Sequence, residues 1–148
     1  MRIVVQRVKS ANVSVGGRKV AEIEKGLLIF VGVAKEDKES NIQYLSKKIA
    51  NLRIFGDTER KMNLSIKDVK GSILSVPQFT LYADTRKGNR PGFDKSAGPQ
   101  IAKDCWQRLN GMLKDDGIDV KEGVFGAHME VELVNDGPVT IWLDSNEN

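Results

Sequence analysis

Apolar and polar positions along the chain alternate with two different periods, and some stretches have neither. RIVVQRV (2–8) reads as a strand. In ANVSVGGRKVAEIE (11–24) the two classes alternate on either side of Gly16-Gly17, which is the pattern of a hairpin. LLIFVGVA (27–34) is apolar throughout, as expected of a strand covered on both faces. The period then changes. Asp37 is placed to cap a helix whose buried face carries Ile42, Leu45, Ile49 and Leu52. MNLSIKD (62–68) fits neither period, and GSILSVPQFTLYAD (71–84) reads as a strand interrupted by Pro77. A second helix opens at Gly98-Pro99, with proline at a tolerated first position. It buries Ile101, Ala102, Cys105, Trp106, Leu109, Met112 and Leu113 and stops at Gly117. Strands are predicted at 118–125, 128–134 and 138–143, followed by a polar tail.

Many antiparallel strands and two helices predict an α+β domain. Mostly antiparallel sheets pack on each other with both helices on one side, giving β/β/α layers. The chain has 148 residues, enough for one domain over 1–148 and little more. No internal repeat or linker divides it.

Asn135-Asp136-Gly137 between the last two strands has the composition of a tight turn. Pro138 does not suit that reading, because it removes a backbone donor where the second strand would begin to pair.

Composition adds a compartment and a charge. Cys105 is the single cysteine, so no internal disulfide forms and a reducing cytoplasmic setting is expected. The first residues lack a leader pattern, and the apolar run at 27–34 is too short to span a bilayer, so no membrane association is expected. Net charge is +3. TRKGNRPGFDK (85–95), with Arg86, Lys87, Arg90 and Lys95 against Asp94, carries that same net charge alone. Such a stretch reads first as a solvated loop and second as a phosphate-contacting surface.

The candidate chemistry emerges by subtraction. The sequence has no metal-ligand cluster, phosphate-binding loop or nucleophile elbow, and it calls for no metal or cofactor. A Ser-His-Asp set would need His128, the only histidine, which falls in a predicted strand and reads as structural. Cys105 lies on the buried helix stripe and reads as core. Two stretches remain. Pro77 breaks a strand just before Gln78-Phe79-Thr80, which frees backbone N–H groups able to hold a developing oxyanion. By period two, Gln78 and Thr80 share a face and Phe79 takes the other. The second stretch is Gly137-Pro138.

These residues together resemble the D-aminoacyl-tRNA deacylase family, of the D-tyrosyl-tRNA deacylase type. The likeness runs from Gln6-Arg7-Val8 through Arg53-Ile54-Phe55, Lys61-Met62-Asn63-Leu64 and Gln78-Phe79-Thr80-Leu81. It continues through Arg90-Pro91 with Phe93, Phe125 with Met129, and Asn135-Asp136-Gly137-Pro138-Val139-Thr140.

The resemblance implies hydrolysis of the ester of D-aminoacyl-tRNA and glycyl-tRNA by a homodimer, with L-aminoacyl-tRNA rejected. It implies a cis Gly137-Pro138 bond inserted into the partner's site as a stereochemical gauge, braced by Arg7. Gln78, Phe79 and Thr80 become the catalytic motif. Phe125, Met129, Asn135 and Thr140 become pocket residues, and Arg86, Lys87 and Arg90 contact tRNA. This chain departs from the family pattern at Pro77, where serine is usual, and at Gly92, where serine is common. A mechanism using the first hydroxyl has none here, whereas one using main-chain N–H groups is untouched. A non-catalytic RNA-binding module and a structural homodimer with a degenerate site are the competing readings.

Overall fold

The computed structural model describes residues 1–147. Strand β1 (Arg2–Val15) organises the sheet. The sequence suggested a short strand followed by a hairpin arm, but the two are continuous. One edge of β1 pairs antiparallel with β8 (Glu130–Asp144) almost end to end. Its other edge pairs with β3 (Gly26–Gly32) through residues 2–8 and with β2 (Arg18–Ile23) through residues 11–15. Gly16 and Gly17, at φ of 57° and 76°, make the β1–β2 turn. Beyond β3 the sheet becomes parallel, adding β6 (Ser72–Pro77) and then β7 (Asp119–Glu122). A separate two-stranded ribbon joins β4 (Phe55–Gly56) to β5 (Met62–Leu64). The architecture is α+β as expected. The parallel pairs arise because both connections into β6 and β7 include a helix, which returns the chain in the same direction.

The alternation in β3 separates two apolar clusters. Leu27, Ile29 and Val31 face helices α1 (Glu39–Asn51) and α2 (Pro99–Asp115) together with Leu45, Ile49, Trp106 and Leu109. Leu28 faces the other way and packs with Val8, Val13, Ile23, Leu74 and Val76. Strand β2 approaches β6 and β7. The sheet thus curls over this second cluster while both helices cover its other face.

Three local expectations change. Asp37 does not cap α1. Its carboxylate takes the Met1 ammonium and the Ala34 N–H, while Asn41 Oδ1 accepts the Lys38 N–H at the helix start, 2.9 Å away. Ile101, in the first turn of α2, is 55% exposed, and the buried stripe begins at Ala102. Cys105 is partly buried, and burial is the first cause pushing its thiol pKa up, so it stays protonated and packs as core. Among the described residues no helix is long and apolar enough to cross a membrane, and no cluster of histidine, cysteine and acidic side chains could hold a metal ion.

Candidate functional site

Strand β6 ends at Pro77 because proline has no N–H to continue the ladder. Gln78 donates its N–H to Val31 O (2.7 Å), and the chain turns at once into a 3-10 turn over Phe79–Tyr82. The expectation of an interrupted strand continuing to residue 84 is therefore corrected. The first-turn amides of Phe79 and Thr80 donate to no acceptor among the described residues. Gln78 and Thr80 do share a side, but through a turn and not through strand alternation, and Gln78 Nε2 bonds Thr80 Oγ1. The Phe79 ring goes the other way and meets Phe93 edge-on, with centroids 4.9 Å apart.

This turn borders a cavity of about 630 Å³. Gln78, Phe79, Phe93, Trp106, Phe125 and Met129 line it. The loop between β7 and β8 supplies Phe125 and Met129. His128 lies in that loop, exposed at the cavity rim, and not inside a strand as expected. Trp106 was read from the sequence only as a core residue. It lines the cavity although only 3% of it is exposed, and reasoning from motifs missed that role.

Gly137 and Pro138 lie elsewhere and do not form a hairpin turn. Strand β8 runs through them, and both of its halves pair with the same strand β1. Gln6 pairs with Thr140 and Val8 with Asn135. Arg7 alone therefore faces four residues, Asp136 to Val139, which bulge out of the sheet. The Gly137-Pro138 bond is cis and both residues are exposed. The missing proline N–H costs no ladder bond, because the bulge is outside the ladder.

The bulge is held from both ends. Asn135 Nδ2 donates to Arg7 O (2.9 Å) and Val139 O (3.0 Å), and Asn135 Oδ1 accepts from Thr140 Oγ1 and Gln6 Nε2, both at 3.2 Å. Arg7 Nε donates to Asp136 O (3.2 Å), and its Nη1 reaches Ile54 O. Arg7 thus grips the carbonyl preceding the Gly-Pro pair rather than the pair's own carbonyls.

The candidate residues therefore divide into two places. Gln78, Phe79, Phe125 and Met129 line the cavity, with Thr80 beside it. Arg7, Asn135, Gly137, Pro138 and Thr140 build the bulge and line no part of that cavity. Arg7 stands opposite Leu27, whereas Gln78 bonds Val31, which is four residues and about 13 Å further along β3. The basic stretch forms an exposed loop closed by an Asp84–Gly92 bridge. Arg86 forks onto Asp84, whose carboxyl it holds well below the usual carboxylate range. Lys87 and Arg90 are exposed on the same loop.

The relatives of this chain place it among the hydrolases that act on the aminoacyl-tRNA ester bond. The chain belongs to the D-Tyr-tRNA(Tyr) deacylase family, whose model matches residues 4–144. It is 53% identical over 147 residues to a D-aminoacyl-tRNA deacylase of Thermosipho africanus, covering 99% of both chains. It is 54% identical to one of Dictyoglomus turgidum, covering 99% of this chain and 94% of that one. A solved structure described as the c-Myc DNA unwinding element binding protein has a TM-score of 0.92 at 37% identity, covering 97% of this chain and 98% of that one. A probable eukaryotic D-amino acid tRNA deacylase shares the fold, with a TM-score of 0.81 at 16% identity, over 96% of this chain and 97% of that one.

Proposed function

We propose that the protein hydrolyses the ester of D-aminoacyl-tRNA and of glycyl-tRNA as a homodimer, each subunit offering its Gly137-Pro138 bulge to the partner's cavity. The observation that carries this reading is the separation of the two halves of the site. A braced, exposed main-chain protrusion lines no part of the cavity of its own chain, and a second copy is the simplest way to bring them together. Light scattering at micromolar concentration should give twice the chain mass. A fully active monomer would defeat the cross-subunit arrangement.

The free N–H groups of Phe79 and Thr80 hold the ester carbonyl oxygen as negative charge develops. Gln78, tethered to Thr80, orients the ester end. The aromatic cavity receives the terminal nucleoside, since a base stacks on such walls whatever its sequence context. The ribose 2′-hydroxyl orients the attacking water. An aminoacyl ester is already activated, so positioning suffices. Pro77 leaves this arrangement whole, because the mechanism draws nothing from a side chain there.

Among the described residues Thr80 Oγ bonds only Gln78, which is not a base. Thr80→Ala keeps the N–H of residue 80 and should lose less than the roughly 100-fold that removal of an oxyanion donor costs. Capture of an acyl group on Thr80 would establish covalent catalysis instead.

The loop at 85–95 contacts tRNA phosphates. Lys87→Ala and Arg90→Ala should each reduce the slope of log affinity against log salt by about 1. Arg86→Ala should reduce it less, since Asp84 already neutralises that guanidinium. A slope unchanged in all three would place the tRNA elsewhere.

A further inference from the structure

Ser75 occupies the middle of β6, two residues before Pro77, and is fully buried. Its backbone lies between Ile29 of β3 and Glu122 of β7. The flanking Leu74 and Val76 belong to the cluster inside the curled sheet, so Ser75 points to the helix side. That side is apolar, with Ile73, Leu109 and Val120 in the same cluster. A β-branched hydrocarbon would suit such a position better.

Two hydrogen bonds account for the serine environment. Trp106 Nε1 donates to Ser75 Oγ at 2.8 Å, wholly out of solvent. Gly123 N donates to Ser75 O at 2.9 Å. Trp106 lines the cavity although only 3% of it is exposed, and its ring lies 6.0 Å from that of Phe125, tilted by 40°. Gly123 begins the loop that carries Phe125 and Met129, and a Cβ there would strike Met129 Sδ at 2.8 Å. The helix wall and the loop wall are therefore both tied to one residue. That residue is also three positions upstream of Gln78 on the same chain segment.

We propose that Ser75 is a positioning residue: its hydroxyl fixes the plane of the Trp106 indole, so that the cavity keeps a flat slot for the substrate's terminal base. The proposal rests on the reading that this cavity takes the nucleoside end. Without the acceptor, the indole N–H is unpaired in an apolar interface and the ring rotates to escape that cost. A rotated indole narrows the slot while leaving the amides of Phe79 and Thr80 where they are. Binding of the base then weakens and the chemical step does not.

The test uses Trp142→Phe as background, which makes Trp106 the sole tryptophan of the two in the chain. Adenosine 5′-monophosphate is the probe, read by Trp106 fluorescence and by calorimetry, alongside kcat and KM for D-Tyr-tRNA. Ser75→Ala should shift the Trp106 emission and raise both the probe's Kd and KM by about three- to tenfold, the range for one lost hydrogen bond. kcat should change by less than about twofold. Ser75→Cys, which retains a weak acceptor, should recover part of the loss.

Trp106→Phe should raise Kd and KM in the same way, and adding Ser75→Ala to it should change neither further, because the pair acts through one bond. It also replaces Ser75→Ala as the primary variant if the latter does not fold. The proposal is overturned if Ser75→Ala lowers only thermal stability with Kd, KM and emission unchanged. It is also overturned if the two substitutions add independently, or if the probe does not bind while D-Tyr-tRNA is still cleaved. Probe binding that weakens in Ser75→Ala with no ester cleavage by any form upholds the role of Ser75 and removes the deacylase reading.

Discussion

Gly137→Val should lower kcat/KM for D-Tyr-tRNA by at least about 100-fold, the loss expected when a reacting group is misplaced by an ångström, while the protein stays folded. Gly137 has φ of +118°, a conformation that side-chain-bearing residues rarely adopt. Space is a second obstacle. A Cβ built there lies 2.9 Å from Arg7 Nη2, 2.9 Å from Val139 Cγ2 and 3.0 Å from Val139 N. The Arg7 terminus can swing away, but the Val139 main chain cannot move without breaking the Asn135 bond to Val139 O. The bulge must change shape, and with it the direction of the Gly137 and Pro138 carbonyls.

The rest of the fold should survive, because the bulge lies outside the β1–β8 ladder. Circular dichroism would register folding, and Gly137→Ala is the milder companion. A complementation experiment locates the effect. A mixed dimer of one Gly137→Val subunit and one Gln78→Ala subunit contains one cavity with both intact parts, provided the bulge acts on the partner. Activity should then reappear on mixing two inactive proteins. If mixing restores nothing although mixed dimers form, the bulge does not serve the partner's cavity.

The bulge also shows what the sequence could and could not convey. Exposure alternates on the same parity in both halves of β8. Glu130, Glu132 and Val134 are exposed before it, and Thr140 and Trp142 after it. A hairpin and a four-residue insertion therefore leave the same local pattern. Only the pairing partner separates them, and that partner is β1, over 120 residues away. The same holds at β1, where a change of neighbour from β3 to β2 looks locally like a break between strands. Both helices were legible because proline and glycine signals and a 3.6-residue stripe are local properties, whereas the cap read at Asp37 was not the one formed. Pro77 was legible as an interruption but not as the end of the strand, since the 3-10 turn that follows it depends on Gln78 reaching Val31. The bond between Ser75 and Trp106 was hidden for the same reason, with one partner on a strand and the other on a helix 31 positions later.

D-Tyr-tRNA and Gly-tRNA should be hydrolysed by one preparation, and L-Tyr-tRNA should be left essentially intact. With the ester carbonyl on the amides of Phe79 and Thr80, and the amino group on the Gly137 and Pro138 carbonyls of the partner, two substituents of the α-carbon are placed. The enantiomers then differ only in which of the remaining directions carries the side chain. In the D substrate it points outward, so its identity matters little and many residues are accepted. In the L substrate it is driven into the bulge. That wall is main chain braced at both ends, by Asn135 on Arg7 O and Val139 O and by Arg7 on Asp136 O, so it does not yield as a side chain would. Glycine has no side chain to collide, and a steric device cannot refuse it. Because the wall is backbone, Phe125→Ala and Met129→Ala should alter rate far more than the D-to-L ratio. Comparable cleavage of the L ester, or complete resistance of the glycyl ester, would show that chirality is read by something other than this bulge. Retention of charged D-Tyr-tRNA without ester loss would instead make the protein a binding module.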